Sequence, residues 1–185
     1  MDVVTILFVA FGLAMDALTV SIANGLSADK LRVNNALKMA VAFGAFQAFM
    51  PVLGWLAGLG LRDLISNVDH WIAFGFLFLV GLKMIYESVR LESSRKGAAT
   101  LSLSVLLTLS VATSIDALAV GLSFAFLQVS IAASVLVIGV VTFLLSFLGA
   151  CFGNKLGHFF ESRIGIAGGL ILIGIGIKIL AEHIL

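Results

Sequence analysis

The chain is poor in the residues that build and punctuate soluble proteins. Charged residues fill 11% of its 185 positions, against roughly a quarter in an ordinary globular domain. It holds one proline, one tyrosine and one cysteine. A lone cysteine excludes an intrachain disulfide and a thiolate metal cluster; Cys151 lies in an apolar run and reads as a small packing residue. The histidines, His70, His158 and His183, stand near the ends of apolar runs and do not gather into a soft-metal site. A formal net charge of +1 with no long basic run gives no ground for a nucleic-acid partner. No basic region precedes the first apolar run, so that run reads as a retained helix and not as a removed signal peptide.

What the chain does have is hydrocarbon. It is 61% hydrophobic, with a mean hydropathy of +1.20, which marks an all-α integral membrane protein whose surroundings are a lipid bilayer. A bilayer core takes about 20 apolar residues per helix. Six stretches qualify, at 3–25, 36–60, 70–89, 100–126, 131–153 and 164–183. The breaks between them are too short for a soluble domain. The first, third and fifth breaks carry Lys30, Arg32, Arg90, Arg95, Lys96, Lys155 and Arg163, while the second, the fourth and the termini carry only Arg62. Positive charge stays on the cytoplasmic side, so both termini are expected outside. His70 and Trp71 fit an interfacial anchor at the outer start of the third stretch.

The two halves resemble each other. Met15-Asp16-Ala17-Leu18-Thr19-Val20 returns 100 residues later as Ile115-Asp116-Ala117-Leu118-Ala119-Val120. Further along, the offset is 95: Gly44 matches Gly139, Gly54 matches Gly149, and Gly58 matches Gly153. At the same offset Gly81-Leu82-Lys83-Met84-Ile85-Tyr86-Glu87 matches Gly176-Ile177-Lys178-Ile179-Leu180-Ala181-Glu182. The change of offset implies a first loop five residues shorter in the second half. Residues 1–92 and 93–185 therefore read as two three-helix repeats within one membrane domain. Three is odd, so the repeats enter the membrane in opposite senses. Inverted repeats of this kind place a substrate site near the midplane, where they meet.

Asp16 and Asp116 mark that site. A carboxylate at bilayer depth costs about 2.5–3.5 kcal/mol on insertion scales and usually serves a cation or proton pathway. Thr19 and Asn24 share the helix face of Asp16, and Thr113 and Ser123 that of Asp116; Ser21 and Ser114 are nearby but point elsewhere on an ideal helix. Pro51 removes the helix bond to the carbonyl of Gln47, which leaves Gln47 with a side-chain and a backbone oxygen to offer. The stripe Gly44, Gln47, Pro51, Gly54, Gly58 has Gly139, Thr142, Ser146, Gly149, Gly153 as its repeat partner. Asp16, Asp116, Gln47, Asn24 and Thr113 are the candidate ligands. Carboxylate, amide and hydroxyl oxygens form a hard donor set suited to Mg, Ca or Mn ions, and protonation of the carboxylates would release the ion. Lys83 with Glu87 and Lys178 with Glu182 form i,i+4 pairs near helix ends and are candidate gates. The residues alone reach a transporter of a hard divalent cation, with export of another solute as the rival. An intramembrane aspartyl protease would also use two aspartates, but neither lies in a Gly-x-Gly-Asp context.

Several segments together resemble the bacterial MntP-type manganese efflux pump family: Ala14-Met15-Asp16-Ala17, Phe43-Gly44-Ala45-Phe46-Gln47 with Pro51 and Gly54-Trp55, His70-Trp71-Ile72-Ala73-Phe74, Ala112-Thr113-Ser114-Ile115-Asp116-Ala117, and the glycine-rich last span. The likeness covers nearly the whole chain. It implies a six-helix, multi-pass protein of the inner membrane, similar in architecture to the wider lysine-exporter superfamily. Such a protein expels Mn(II) and is not an enzyme. The family's functional aspartates fall on Asp16 and Asp116. Some members carry Glu at the position of Gln47, so this chain has one negative charge fewer there. Manganese as the transported ion comes from the resemblance. The expected cycle is alternating access with proton coupling and no resident cofactor; association into a homo-oligomer stays open.

Overall fold

In hydrocarbon an unpaired backbone N–H or C=O has no water to turn to, so long apolar runs must satisfy themselves as helices. The computed structural model of the chain describes residues 3–26, 33–65, 69–90, 102–127, 129–156 and 161–184. Among them are six helices: α1 (Val3–Leu26), α2 (Val33–Ile65), α3 (Asp69–Arg90), α4 (Leu103–Phe126), α5 (Ile131–Leu156) and α6 (Glu161–Ile184). They coincide with the six apolar stretches. The basic loop residues Lys30, Arg32, Arg95 and Lys96 lie outside the described residues, as do the side chains of Arg62, His70, Glu87, Arg90, Lys155, Arg163 and Glu182.

Local signals set the ends of α4. Ser102 caps its start, accepting from the Val105 N–H at 3.3 Å, and the Leu127 N–H closes its last turn on the Ser123 carbonyl at 3.0 Å. Four helices hold apolar segments long enough to cross a bilayer: Val3–Gly25, Val33–Gly60, Leu103–Phe126 and Ile131–Gly153. In α3 and α6 the apolar segments among the described residues are shorter, Phe74–Lys83 and Gly168–Ala181.

The side-chain pattern of α5 is turned inside out relative to a helix in water. Leu136, Val140, Leu144 and Leu148, four residues apart, are exposed, while Ser134, Thr142 and Ser146 are fully buried. A helix on a soluble protein buries its apolar stripe and shows its polar one. Here the outer face meets hydrocarbon and the polar groups face protein, the arrangement of a multi-pass membrane protein.

The packing runs between the first three helices and the last three. α1 lies along α5, α2 along α4 and α3 along α6, while α2 also crosses α5. Lesser contacts join α1 to α6 and α3 to α4; α1 and α2 barely touch. Lipid tails are as apolar as leucine, so close backbone approach through small residues must supply the attraction. A Cβ on Gly54 would overlap the Leu118 carbonyl, and one on Gly121 the carbonyl of Pro51. On the other seam, Gly149 meets Leu18 and Gly153 meets the Ile22 carbonyl. α2 continues unbroken through the buried Pro51, so the proline sits at the α2–α4 crossing. Between the seams, Leu13, Val120, Phe124, Ile138 and Leu172 form the main apolar core.

Candidate functional site

Asp16 and Asp116 occupy the same place in their helices. Each is the fourteenth residue of a helix of 24, about 20 Å from the helix start at 1.5 Å per residue. Asp16 is half-buried. Asp116 is 4% exposed.

An ion pair between helices holds Asp116. The Lys83 ammonium on α3 donates to both of its carboxylate oxygens, at 2.9 Å to Oδ1 and 3.1 Å to Oδ2. Charge-assisted bonds of this length are among the stronger ones, and they offset the cost of a carboxylate in the low-dielectric interior. The pair is lopsided: the aspartate side chain is 6% exposed and the lysine side chain 41%. Lys83 therefore reaches inward from the rim of α3. The i,i+4 rule ties Lys83 to Glu87, whose side chain lies outside the described residues; the structure gives it a second carboxylate, 33 residues away in the chain. Lys178 is exposed on α6, which packs against α1, the helix of Asp16. Its own i,i+4 partner, Glu182, has a side chain outside the described residues.

Gln47 is completely buried. Its amide Nε2 donates to the Leu13 carbonyl at 3.2 Å, about one turn before Asp16 on α1. This bond brings α2 to the aspartate-bearing stretch of α1. The Gln47 side-chain oxygen, also buried, has no hydrogen-bond partner among the described residues. Thr142 on α5 is in the same condition: fully buried, its Oγ1 without a partner. The two stand alike around the α2–α5 crossing. There a Cβ on Gly44 would lie 3.0 Å from the Gly139 carbonyl oxygen, and one on Gly139 3.2 Å from that of Gly44. Gln47 follows Gly44 by three residues, and Thr142 follows Gly139 by three.

Ser21 and Ser146 carry two more buried hydroxyls without partners among the described residues. Leaving such a group unsatisfied costs about 1–3 kcal/mol, so four of them in the midst of tight helix packing point to a ligand. Carboxylate, amide and hydroxyl oxygens are the donors that hard divalent cations take. Among the described residues no three His, Cys, Asp or Glu side chains gather into a metal cluster; such an ion would have to draw on neutral oxygens as well as carboxylates.

The remaining sequence candidates are placed as follows. Thr113 is buried one turn before Asp116 and donates to the Ser110 carbonyl at 3.3 Å, which leaves its oxygen lone pairs available. Asn24 is half-buried near the end of α1 and donates to the Val20 carbonyl at 3.0 Å. Eight residues at 1.5 Å each put it about 12 Å along the helix from Asp16. Sequence reasoning missed the Lys83–Asp116 pair and the unpartnered oxygens of Ser21, Thr142 and Ser146. The offset of 95 that equates Thr142 with Gln47 was the available signal for α5.

Six helices with apolar outer faces, buried oxygens and a carboxylate midway along α1 and α4 define a multi-pass membrane protein with a polar interior. A family model described as "Putative manganese efflux pump" matches residues 30–180, and the chain belongs to that family. A protein of Methanosarcina barkeri named "Putative manganese efflux pump MntP" is 53% identical over 185 residues, covering 100% of this chain and 99% of its own length. Proteins of the same name from Gloeothece citriformis and Clostridium perfringens SM101 are 48% and 45% identical, over 100% and 99% of this chain and 97% and 96% of their own lengths. No solved structure matches the chain.

Proposed function

We propose that the chain exports Mn(II) from the cytoplasm across the inner membrane by alternating access, with the ion held between Asp16 and Asp116. The observation that carries this reading is the equivalent position of a carboxylate midway along α1 and α4, with oxygens of Gln47, Thr142, Ser146 and Ser21 that have no partner among the described residues on the neighbouring helices. The names of the relatives supply the choice of manganese. Gln47 and Thr113 are the further ligands we favour, with Asn24 at the end of α1 as a station on the path. Two carboxylates neutralise a divalent ion, and their protonation after its release makes the cycle a proton-coupled, secondary one.

The cycle needs two halves that can rock against each other. Swapping α1, α2 and α3 for α4, α5 and α6 turns the α1–α5 contact into the α2–α4 contact, and the α1–α6 contact into the α3–α4 contact. That exchange supports reading residues 1–92 and 93–185 as repeats; we take them as inverted because three spans each is an odd number, with all six helices spanning and, from the loop charges, both termini outside. The second reading, export of another hard divalent cation, uses the same oxygens.

The test is the metal content of a manganese-sensitive strain carrying the chain or its Asp16→Asn or Asp116→Asn variant at equal expression. Manganese falls only with the intact chain if the reading holds. A fall in another metal moves the substrate and keeps the site, and no change in any metal refutes export.

A further inference from the structure

The ion pair at Asp116 has a consequence that cation export alone does not require. The Lys83 ammonium engages both oxygens of the carboxylate, at 2.9 and 3.1 Å. A divalent cation bound to Asp116 needs one or both of the same oxygens at a shorter distance, about 2.0–2.6 Å for hard ions. Ammonium and metal would then stand side by side in the protein interior, where like charges repel strongly. A shared carboxylate would set the two positive charges against each other, so each weakens the other's hold.

We infer that Lys83 is a tethered counter-cation that occupies Asp116 when no ion is bound and is displaced when the ion enters. The inference rests on the export reading of Asp116 and deepens it. The lopsided burial supplies the means: the lysine side chain is 41% exposed, against 6% for the aspartate, so the ammonium can retract along its own four-carbon stem toward the rim while the carboxylate stays in place. With the ion absent and no proton yet bound, the lysine neutralises the carboxylate. With the ion present, the waiting ammonium competes for the same oxygens and keeps binding reversible. Lys83 is thus a positioning and release residue and not a ligand. The repeat offsets equate Lys83 with Lys178 and Asp116 with Asp16, and α6 packs on α1 as α3 packs on α4.

The experiment titrates the purified full chain in detergent with Mn(II) and follows the free ion by its electron paramagnetic resonance signal. Lys83→Gln removes the competitor and should tighten Mn(II) binding by about tenfold, less than a fully buried partner would give because the lysine side chain is 41% exposed. Lys83→Arg keeps the charge and should bind as the unaltered chain does, or more weakly. A merely structural lysine gives the opposite sign, because its loss loosens the site. A second readout needs no variant: saturating Mn(II) should free Lys83 and raise its labelling by an amine-reactive ester, read by mass spectrometry. If Asp116→Asn binds Mn(II) as tightly as the unaltered chain, the export reading of Asp116 falls and this inference with it. If Asp116 is required but Lys83→Gln binds no tighter, or Lys83 labelling does not rise with Mn(II), the inference falls and the export reading stands.

Discussion

The two long seams of the molecule share a backbone plan and differ in how their polar groups are satisfied. Along α2–α4 the hydroxyls of α4 bond back into their own helix: Ser110 to Leu106, Thr113 and Ser114 to Ser110, and Ser123 to Ala119. Asp116 on the same helix has Lys83. Around α5, Ser21 of α1, Thr142 and Ser146 of α5 itself and the side-chain oxygen of Gln47 at the α2–α5 crossing are buried with no such bond among the described residues. Both seams are closed by glycines pressed against carbonyl groups. The plan that lets the backbones approach is thus common to the two, while the spare oxygens gather around α5. A site with a tethered ammonium on one side and spare neutral oxygens on the other would offer an incoming ion its first contacts on the α5 side.

That contrast can be broken at several strengths. The largest effect is expected from Asp16→Asn or Asp116→Asn. Each removes a charge that neutral oxygens do not replace, and each should abolish the chain's ability to lower cellular manganese, as read by elemental analysis. Next come the contact glycines. Gly121→Ala places a methyl on the Pro51 carbonyl and Gly54→Ala one on that of Leu118; overpacking of this kind costs about 1–3 kcal/mol, visible as a lowered melting temperature in detergent. Gly75 in α3 has nothing within 4 Å of its would-be Cβ, so Gly75→Ala should instead gain about 0.5–1 kcal/mol from the better helix former.

Smaller effects sharpen the difference between the seams. Thr142→Val and Ser146→Ala remove hydroxyls that no group among the described residues satisfies. Melting temperature should hold or rise, and manganese export should fall severalfold if these oxygens serve the ion. Ser114→Ala on α4 removes a 2.7 Å bond to the Ser110 carbonyl. It should change the melting temperature little, because a serine bonding back into its own helix adds little stability, and leave export unchanged. Equal export after all three substitutions would remove the functional distinction between the seams.

Much of the architecture was legible because hydrophobic length and repetition are properties of the chain itself. The six helices lie where the apolar runs lie, and the aspartates stand out because a charge in such a run has no ordinary reason to be there. Pairing between helices was harder to read. Lys83 has a carboxylate four residues on, at Glu87, and helical spacing points there; the bond to Asp116 depends on how α3 docks against α4, which no local rule contains. The unpartnered state of Ser21 has the same origin. Its burial comes from the approach of Gly149 on α5, whose Cβ would lie 3.2 Å from that of Ser21, and an ideal helix drawn for α1 alone does not show that neighbour. Asn24 shares a face with Asp16, as its spacing predicts, yet spacing alone does not convey the distance along α1 that separates them.

The most direct test of the account is Mn(II) flux into sealed proteoliposomes holding the purified chain, followed with a manganese-quenched dye trapped inside. The account predicts saturable quenching with the unaltered chain and none above empty vesicles with either Asp16→Asn or Asp116→Asn, at matched incorporation. Flux that persists undiminished in both variants would contradict it.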